Sequence, residues 1–348
     1  MNLTGNDLAV KLLNSGKVVG SGEVDLGKLR KLAVVTSGGD APGMNAAIRA
    51  LARLAAWNGL EVVGFERGWE GVIENKFMRL DSRAVSGILH LGGTILRTSR
   101  CEKFKTREGL EKAAETLAVN DIGGLIVIGG DGSIRGANEL SKYTDASIMA
   151  LPASIDNDVY GTDETIGFDT AVNTALTEIN KIRDTAVSHE RTFIIEVMGR
   201  RRGFLALEVG LTAGAEIILV PEVKFDQEKL YEILRKNAAK GKRSSIIVAA
   251  EGIGETRKLA EDIQKNVDTE VRLSVLGYVQ RGGSPTARSR MLATLFAEKA
   301  IDLLLDGVEG KVIVLQRGEI TSITLEEACS KEKPLNVNLL ELAEKLAI

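Results

Sequence analysis

Three short segments hold the residues best suited to chemistry. The first, Ser37-Gly38-Gly39-Asp40-Ala41-Pro42-Gly43, and the second, Gly129-Gly130-Asp131-Gly132-Ser133, are glycine-rich, and each follows an apolar run. Glycines at such a place let backbone N–H groups approach a phosphate, and a helix starting just beyond adds positive potential. Gly38 and Gly43 have P-loop spacing, but Met44-Asn45 stands where Lys-Ser/Thr is required, so this is not a Walker motif. The second segment is not a dinucleotide fingerprint, because Arg135 occupies the place of the last glycine or alanine. What remains is a phosphate-sized loop with one carboxylate, Asp131, of the kind that suits a magnesium ion bridging phosphates. The third segment, Pro152-Ala153-Ser154-Ile155-Asp156-Asn157-Asp158, sets two carboxylates two residues apart. One of them can take a hydroxyl proton while the other holds magnesium. Each segment alone also fits a bland role: a tight strand-to-helix turn for the glycine loops, an Asx-rich surface turn for the aspartates.

The elements around these loops read as a repeating unit. KLAVVTS precedes the first loop and MNAAIRALARLAAW follows it; GLIVIGG and IRGANELSKY flank DGS; SIMALPAS leads into the third, with a helical pattern from FDTAVNTALTEINKIRDTAV after it. TFIIEVM, EIILVPE, SSIIVAAEG and KVIVLQ are further strand candidates. Short continuous apolar runs alternating with helices predict an α/β fold whose parallel sheets are covered by helices on both faces. Ligands in such folds bind at the carboxyl ends of the strands, which is where the three loops fall.

The chain has 348 residues, room for about two domains or lobes, and 44% hydrophobic against 27% charged residues, the balance of a folded globule. A net charge of −3 gives no reason to expect nucleic acid. No run reaches a membrane-spanning length and no signal-peptide core is present, so no membrane is expected and the cytoplasm is the expected location. Two cysteines, Cys101 and Cys329, lie far apart and read as reduced thiols; with only His90 and His189 besides, a His/Cys zinc site is not expected and carboxylates must carry acid–base work. Residues 1–30 read as an extension with one short helix at most.

Together and in this order, the three loops resemble those of the phosphofructokinase family. GGTILRTSR (92–100), TDETIGFDTA (162–171), SHERTFIIEVMGR (188–200) and VLGYVQRGGSPT (275–286) resemble further segments of that family in its order, so the resemblance covers about residues 31–310. It implies two Rossmann-like lobes with mostly parallel sheets and an active site in the cleft between them. An ATP-binding lobe would comprise 31–166 plus 280–330, and a sugar-phosphate-binding lobe 167–279 plus 331–348. The implied reaction is the glycolytic one: phosphoryl transfer from Mg-ATP to the 1-hydroxyl of fructose 6-phosphate.

Carried over position by position, the resemblance puts the nucleotide over the first two loops. Gly38 would donate its N–H to the phosphates, Gly130, Gly132, Ser133 and Cys101 would line the ATP path, and Asp131 and Asp158 would serve magnesium. Trp69 falls where an aromatic stacks near adenine, or is a half-buried core tryptophan. Asp156 matches the general base, Ser154 a hydroxyl on the transferring group, and Arg100 the arginine that stabilises its charge. Arg191, Arg272 and Arg281 would meet the sugar phosphate, and Met198, Gly199, Arg200 and Glu251 would contact or orient the sugar. In the family Arg191 and Arg272 act from a neighbouring subunit, which implies an oligomer, a homotetramer. Tyr278 stands where many members have histidine, and Arg97 where many have glycine.

Pyrophosphate-using relatives carry aspartate at the position of Gly132 and often lysine at that of Ala153; both are small and neutral here, which favours ATP. Arg49, Arg53, Arg183, Glu216, Lys240 and Lys242 match a bacterial effector pocket for ADP or phosphoenolpyruvate, or are helix-surface charges; Ser82 and Arg83 depart from the pattern there. The alternatives are a pyrophosphate-dependent or other sugar-phosphate kinase of the family, and, from another class, a non-catalytic nucleotide-sensing regulatory subunit. Such a subunit would be free to lose Asp131, Asp156, Asp158 and Arg100, all of which are present.

Overall fold

A computed structural model describes residues 29–347; the extension read from the first 30 residues lies, up to residue 28, outside them. Along the chain run β1 (Lys31–Ser37), α1 (Met44–Trp57), β2 (Glu61–Phe65), α2 (Trp69–Ile73), β3 (Phe77–Arg79), α3 (Arg107–Val119), β4 (Gly124–Gly129), α4 (Asp131–Leu140), β5 (Ser147–Pro152) and α5 (Phe168–His189). There follow β6 (Thr192–Val197), α6 (Phe204–Thr212), β7 (Ile217–Leu219), α7 (Gln227–Ala239), β8 (Ser245–Ala250), α8 (Thr256–Asn266) and β9 (Val271–Val275). The chain closes with α9 (Ala287–Leu305), β10 (Lys311–Gln316), β11 (Glu319–Thr324), α10 (Leu325–Ser330) and α11 (Asn338–Leu346).

Two sheets result. A seven-stranded sheet has the order β11-β10-β5-β4-β1-β2-β3, parallel except for its edge strands β11 and β3. A four-stranded sheet, β7-β8-β6-β9, is parallel throughout. Burial on both faces explains the composition of the strands: all six residues of β4 and all six of β8 are buried, and no polar alternation is needed. In the larger sheet the strand order reverses between β1 and β4, so the loops after these two strands flank the crevice where such sheets bind ligands. Helix α1 buries an alanine-rich face, including Ala46, Ala47, Ala50 and Leu51, against α9, whose first turn is capped by the Thr286 hydroxyl accepting from the Ser289 N–H.

The expected strands and helices are present, with two differences of extent. The second glycine segment is mostly helix: α4 starts at Asp131, not at Ile134, because extended Gly130 caps it and an aspartate in the first turn favours the helix dipole. The strand read from EIILVPE shrinks to Ile217–Leu219, just short of Pro221, which has no N–H for a ladder. Strands β2, β3, β9 and β11 were not expected; three of them are edge strands. Arg317 and Gly318, both at positive φ, form the hairpin turn between β10 and β11 that seals the last edge. No described helix is long and apolar enough to cross a membrane.

Candidate active site

The three loops converge at the carboxyl ends of β1, β4 and β5. Gly38 has φ 84°, and a Cβ there would come within 3.0 Å of the Ser133 hydroxyl, so loops one and two touch through glycine. Gly129 is tighter still: a Cβ would lie 2.5 Å from the Ser37 carbonyl. A side chain on Gly132, by contrast, would meet open space. The Thr98 hydroxyl donates to the Gly38 carbonyl (2.8 Å), which ties the segment carrying Arg100 to the first loop. Arg97 just before it has φ 60°, so the arginine keeps the left-handed conformation that a glycine would take at ease.

The third loop is folded by its own polar groups. The Ser154 hydroxyl accepts from the Asp156 N–H (3.1 Å). Asn157, at φ 52°, accepts at Oδ1 from the Thr165 N–H (3.0 Å) and donates from Nδ2 to the Asp163 carbonyl (3.2 Å). This turns the flanking aspartates into a cleft of about 830 Å³. Asp156 is only 6% exposed, and burial, with Asp158 next, pushes its carboxyl up to about 6 against the pull of Arg200 and Arg281. Asp158 is raised as well, by burial first and then by Asp131 across the cleft. Arg200 Nε stands 3.3 Å from the Asp156 carboxylate, and Arg135 pairs with Asp131 at 2.8 Å.

Of the residues expected at a site, Gly38, Trp69, Arg100, Cys101, Gly130, Asp131, Gly132, Ser133, Ser154, Asp156, Asp158, Arg200 and Arg281 line this cleft. Trp69 is not half-buried: it is 5% exposed and stacked on Phe104 at 4.1 Å, with Gly136 leaving room for the pair. Arg200 and Glu251 follow the carboxyl ends of β6 and β8, and the Arg200 N–H donates to Glu251 (2.5 Å), so the smaller sheet also points its carboxyl ends inward. Arg281 reaches over the Tyr278 ring towards Asp40.

The rest are not in the cleft. Arg191 and Arg272 sit at the amino ends of β6 and β9, on the far side of the sheet, where both pair with Glu270. Tyr278 is 78% exposed. Met198 is buried, with its N–H donating to Gln280 Oε1 (2.9 Å), and Gly199 has φ 134°, where a Cβ would strike the Arg202 carbonyl.

The effector set falls into two groups with no hydrogen bond or ion pair between them among the described residues. Arg49 and Arg53 lie on α1. Arg183 donates to the Ala213 carbonyl (2.6 Å), and buried Glu216 pairs with Lys242 (2.7 Å). Lys242 is therefore not a helix-surface charge; α7 ends before Lys240 and the pair holds the loop beyond. Phe104, Asn157 and Thr165 were not singled out. Only Asn157 had a signal, its place between two aspartates.

Two helix-covered, mostly parallel sheets, whose strand ends meet at a cleft of glycine loops, buried carboxylates and arginines, define a phosphate-handling α/β protein. The Phosphofructokinase family model matches residues 31–304. The chain is 46% identical over 320 residues to an ATP-dependent 6-phosphofructokinase of Shouchella clausii, covering 92% of this chain and all of that one. It is 48% identical over 318 residues to ATP-dependent 6-phosphofructokinase 1 of Clostridium perfringens, covering 91% and 99%. Among solved structures, phosphofructokinase from Saccharomyces cerevisiae matches with TM-score 0.79 and 33% identity over 92% of this chain, which spans 48% of the yeast chain. A pyrophosphate-dependent phosphofructokinase from Marinobacter aquaeolei shares the fold at TM-score 0.80, with 21% identity over 90% of this chain and 91% of that one. The chain belongs to the phosphofructokinase family.

Proposed function

We propose that the protein transfers the γ-phosphoryl group of ATP to the 1-hydroxyl of fructose 6-phosphate, with Asp156 as general base. The observation that carries this is the place of Asp156: buried at the cleft floor, beside Arg200, with its proton affinity raised towards the value a base needs near neutral pH. The near-full-length identity to enzymes named ATP-dependent 6-phosphofructokinase supports both substrates. Gly132 and Ala153, small and neutral, support ATP over pyrophosphate, since the space beyond Gly132 is open to a nucleotide.

In this reading Gly38, Gly130, Gly132, Ser133 and Cys101 hold the phosphates, with Trp69 and Phe104 as the wall beside the base. Arg100 and the Ser154 hydroxyl meet the transferring group, and Arg281, Arg200 and Glu251 orient the sugar phosphate. Charge spread over phosphoryl oxygens is what such donors stabilise. Asp131 and Asp158 fit a magnesium ion: they are hard oxygen donors facing one cleft, and the charge of Asp131 helps to raise the carboxyl of Asp158. No group of three His, Cys, Asp or Glu side chains able to hold a metal occurs among the described residues, so phosphate oxygens would complete the shell. When bound, the ion offsets phosphate charge. The seven-stranded region, 31–166 plus 280–330, is read as the ATP-binding lobe, and 167–279 plus 331–348 as the sugar-phosphate lobe. Arg191 and Arg272, turned away from their own cleft, suit a neighbouring subunit's site in a homotetramer; the Glu216 group with Arg49 and Arg53 suits an ADP or phosphoenolpyruvate effector, and the cytoplasm suits the reaction.

The test is fructose 1,6-bisphosphate formation from fructose 6-phosphate and magnesium with ATP or pyrophosphate as donor. Product with ATP alone is expected. Product with pyrophosphate alone overturns the donor, and product with neither overturns the reaction.

A further inference from the structure

The segment after α10, Lys331-Glu332-Lys333-Pro334, crosses from the larger sheet towards the smaller one, where α11 packs on α6 and β7. Its second lysine is held in place from both sides. Lys333 Nζ donates to the Asp163 carbonyl (3.1 Å), the same oxygen that accepts from Asn157 Nδ2 (3.2 Å). The ammonium also sits over the Phe204 ring of α6, 4.9 Å from its centre, and Arg202 grips the strap itself, pairing with Glu332 (3.0 Å) and bonding the Lys333 carbonyl. Burial pulls the lysine down to about 8, while Asp163, then Asp158 and Glu164, oppose it, so at neutral pH it stays cationic behind the aspartate loop.

From this we propose that Lys333 is a positioning residue for phosphoryl transfer: through the Asp163 carbonyl it fixes Asn157, and with it the directions of Asp156 and Asp158, while tying that loop to the Arg200–Phe204 segment of the smaller sheet. Two routes join the same elements. Arg200 meets Asp156 inside the cleft, and Arg202 and Phe204 hold Lys333 behind it. Lys333 does not line the cleft and touches no reacting atom. Its effect therefore falls on loop geometry rather than on substrate affinity. The inference rests on the kinase reading for its kinetic part only.

The test compares Lys333→Met, Lys333→Gln and Lys333→Arg with Lys331→Met, the neighbouring lysine that is exposed over Tyr160. Lys333→Met is expected to lower kcat by about tenfold to a hundredfold, the scale of a small misplacement of reacting groups. The KM values for ATP and fructose 6-phosphate should stay within about threefold, because ground-state binding is intact. Lys333→Arg should restore at least half of kcat, and Lys331→Met should leave it unchanged. Independently of turnover, amide exchange at Thr165, whose N–H is bonded to Asn157, should quicken in Lys333→Met and not in Lys331→Met. If Lys333→Met does not fold, Lys333→Gln is read in its place. Unchanged kcat and exchange overturn the proposal, as does a loss of activity fully accounted for by a smaller folded fraction. If the wild type makes no fructose 1,6-bisphosphate, the functional reading fails, and the exchange arm still decides whether Lys333 holds the loop.

Discussion

The larger sheet assembles its share of the site from contacts within one chain, whereas the smaller sheet supplies Arg200, its N–H held by Glu251, to the cleft and turns Arg191 and Arg272 away from it. The reason is directional. Loops after parallel strands all leave at the carboxyl ends, so the three loops of β1, β4 and β5 meet by topology. Arg191 and Arg272 enter β6 and β9 at the amino ends, a strand's length from the same cleft, and both pair there with the single carboxylate of Glu270. A residue's place along its strand thus decides whether its own chain can use it.

That contrast can be broken at either region. The largest effect is expected at Asp156: Asp156→Asn should lower kcat by about 10²–10⁴, the usual contribution of a general base, with little change in binding of either substrate. The same substitution should stabilise the ligand-free protein. Asp156 binds its proton more tightly folded (about 6) than at its ordinary value of 3.8, so folding favours the protonated form and the wild type loses stability as pH rises through this range. Above pH 6 the gain in Asp156→Asn should be about 3 kcal/mol, shrinking to nothing below about pH 4. Thermal unfolding in EDTA across pH measures it; no gain at pH 8 would mean that the carboxylate is not strained by burial.

Next in size is the donor pocket. Gly132→Asp, which adds a charge into open space and should leave the fold intact, is expected to cut kcat/KM for ATP roughly a hundredfold through repulsion of phosphate. Parallel assays with both donors and a melting curve check this, and full ATP activity would remove Gly132 from the donor reading. Smallest, and most telling for the contrast, is Arg272→Ala. If Arg272 serves a neighbouring subunit's site as proposed, losing its charged hydrogen bond to the sugar phosphate should raise the KM for fructose 6-phosphate about tenfold with kcat nearly kept. In that reading, dilution that separates the subunits should mimic it in the wild type. A KM indifferent to both would make Arg191 and Arg272 purely structural partners of Glu270.

What was legible in the sequence follows the range of the interactions. Gly38, Gly130 and Asp131 announce their loops because a few adjacent residues fix a strand-to-helix turn, and the buried strands announce themselves by unbroken apolar runs. Strands β3 and β11 did not: β3 has three residues, and β11, EITSIT, half-exposed, has no such run. Lys333 sits in a charged tract, KEKP, that reads as solvated surface; it is half-buried where the Phe204 ring lies beneath it, α11 returns to the smaller sheet and Arg202 bonds the strap. The pairs Glu216–Lys242 and Arg191–Glu270 likewise join residues far apart in sequence whose partners no local pattern could name.

The stacked pair at the cleft wall also makes the protein a reporter of itself. The chain has two tryptophans, and Trp57 at the end of α1 is 84% exposed while Trp69 is shut against Phe104. Their emission should separate, long-wavelength for the one and short-wavelength for the other. A Trp57→Phe variant would leave a single indole looking onto the wall where a nucleotide base would lie, and its fluorescence would follow occupancy of that wall without any label.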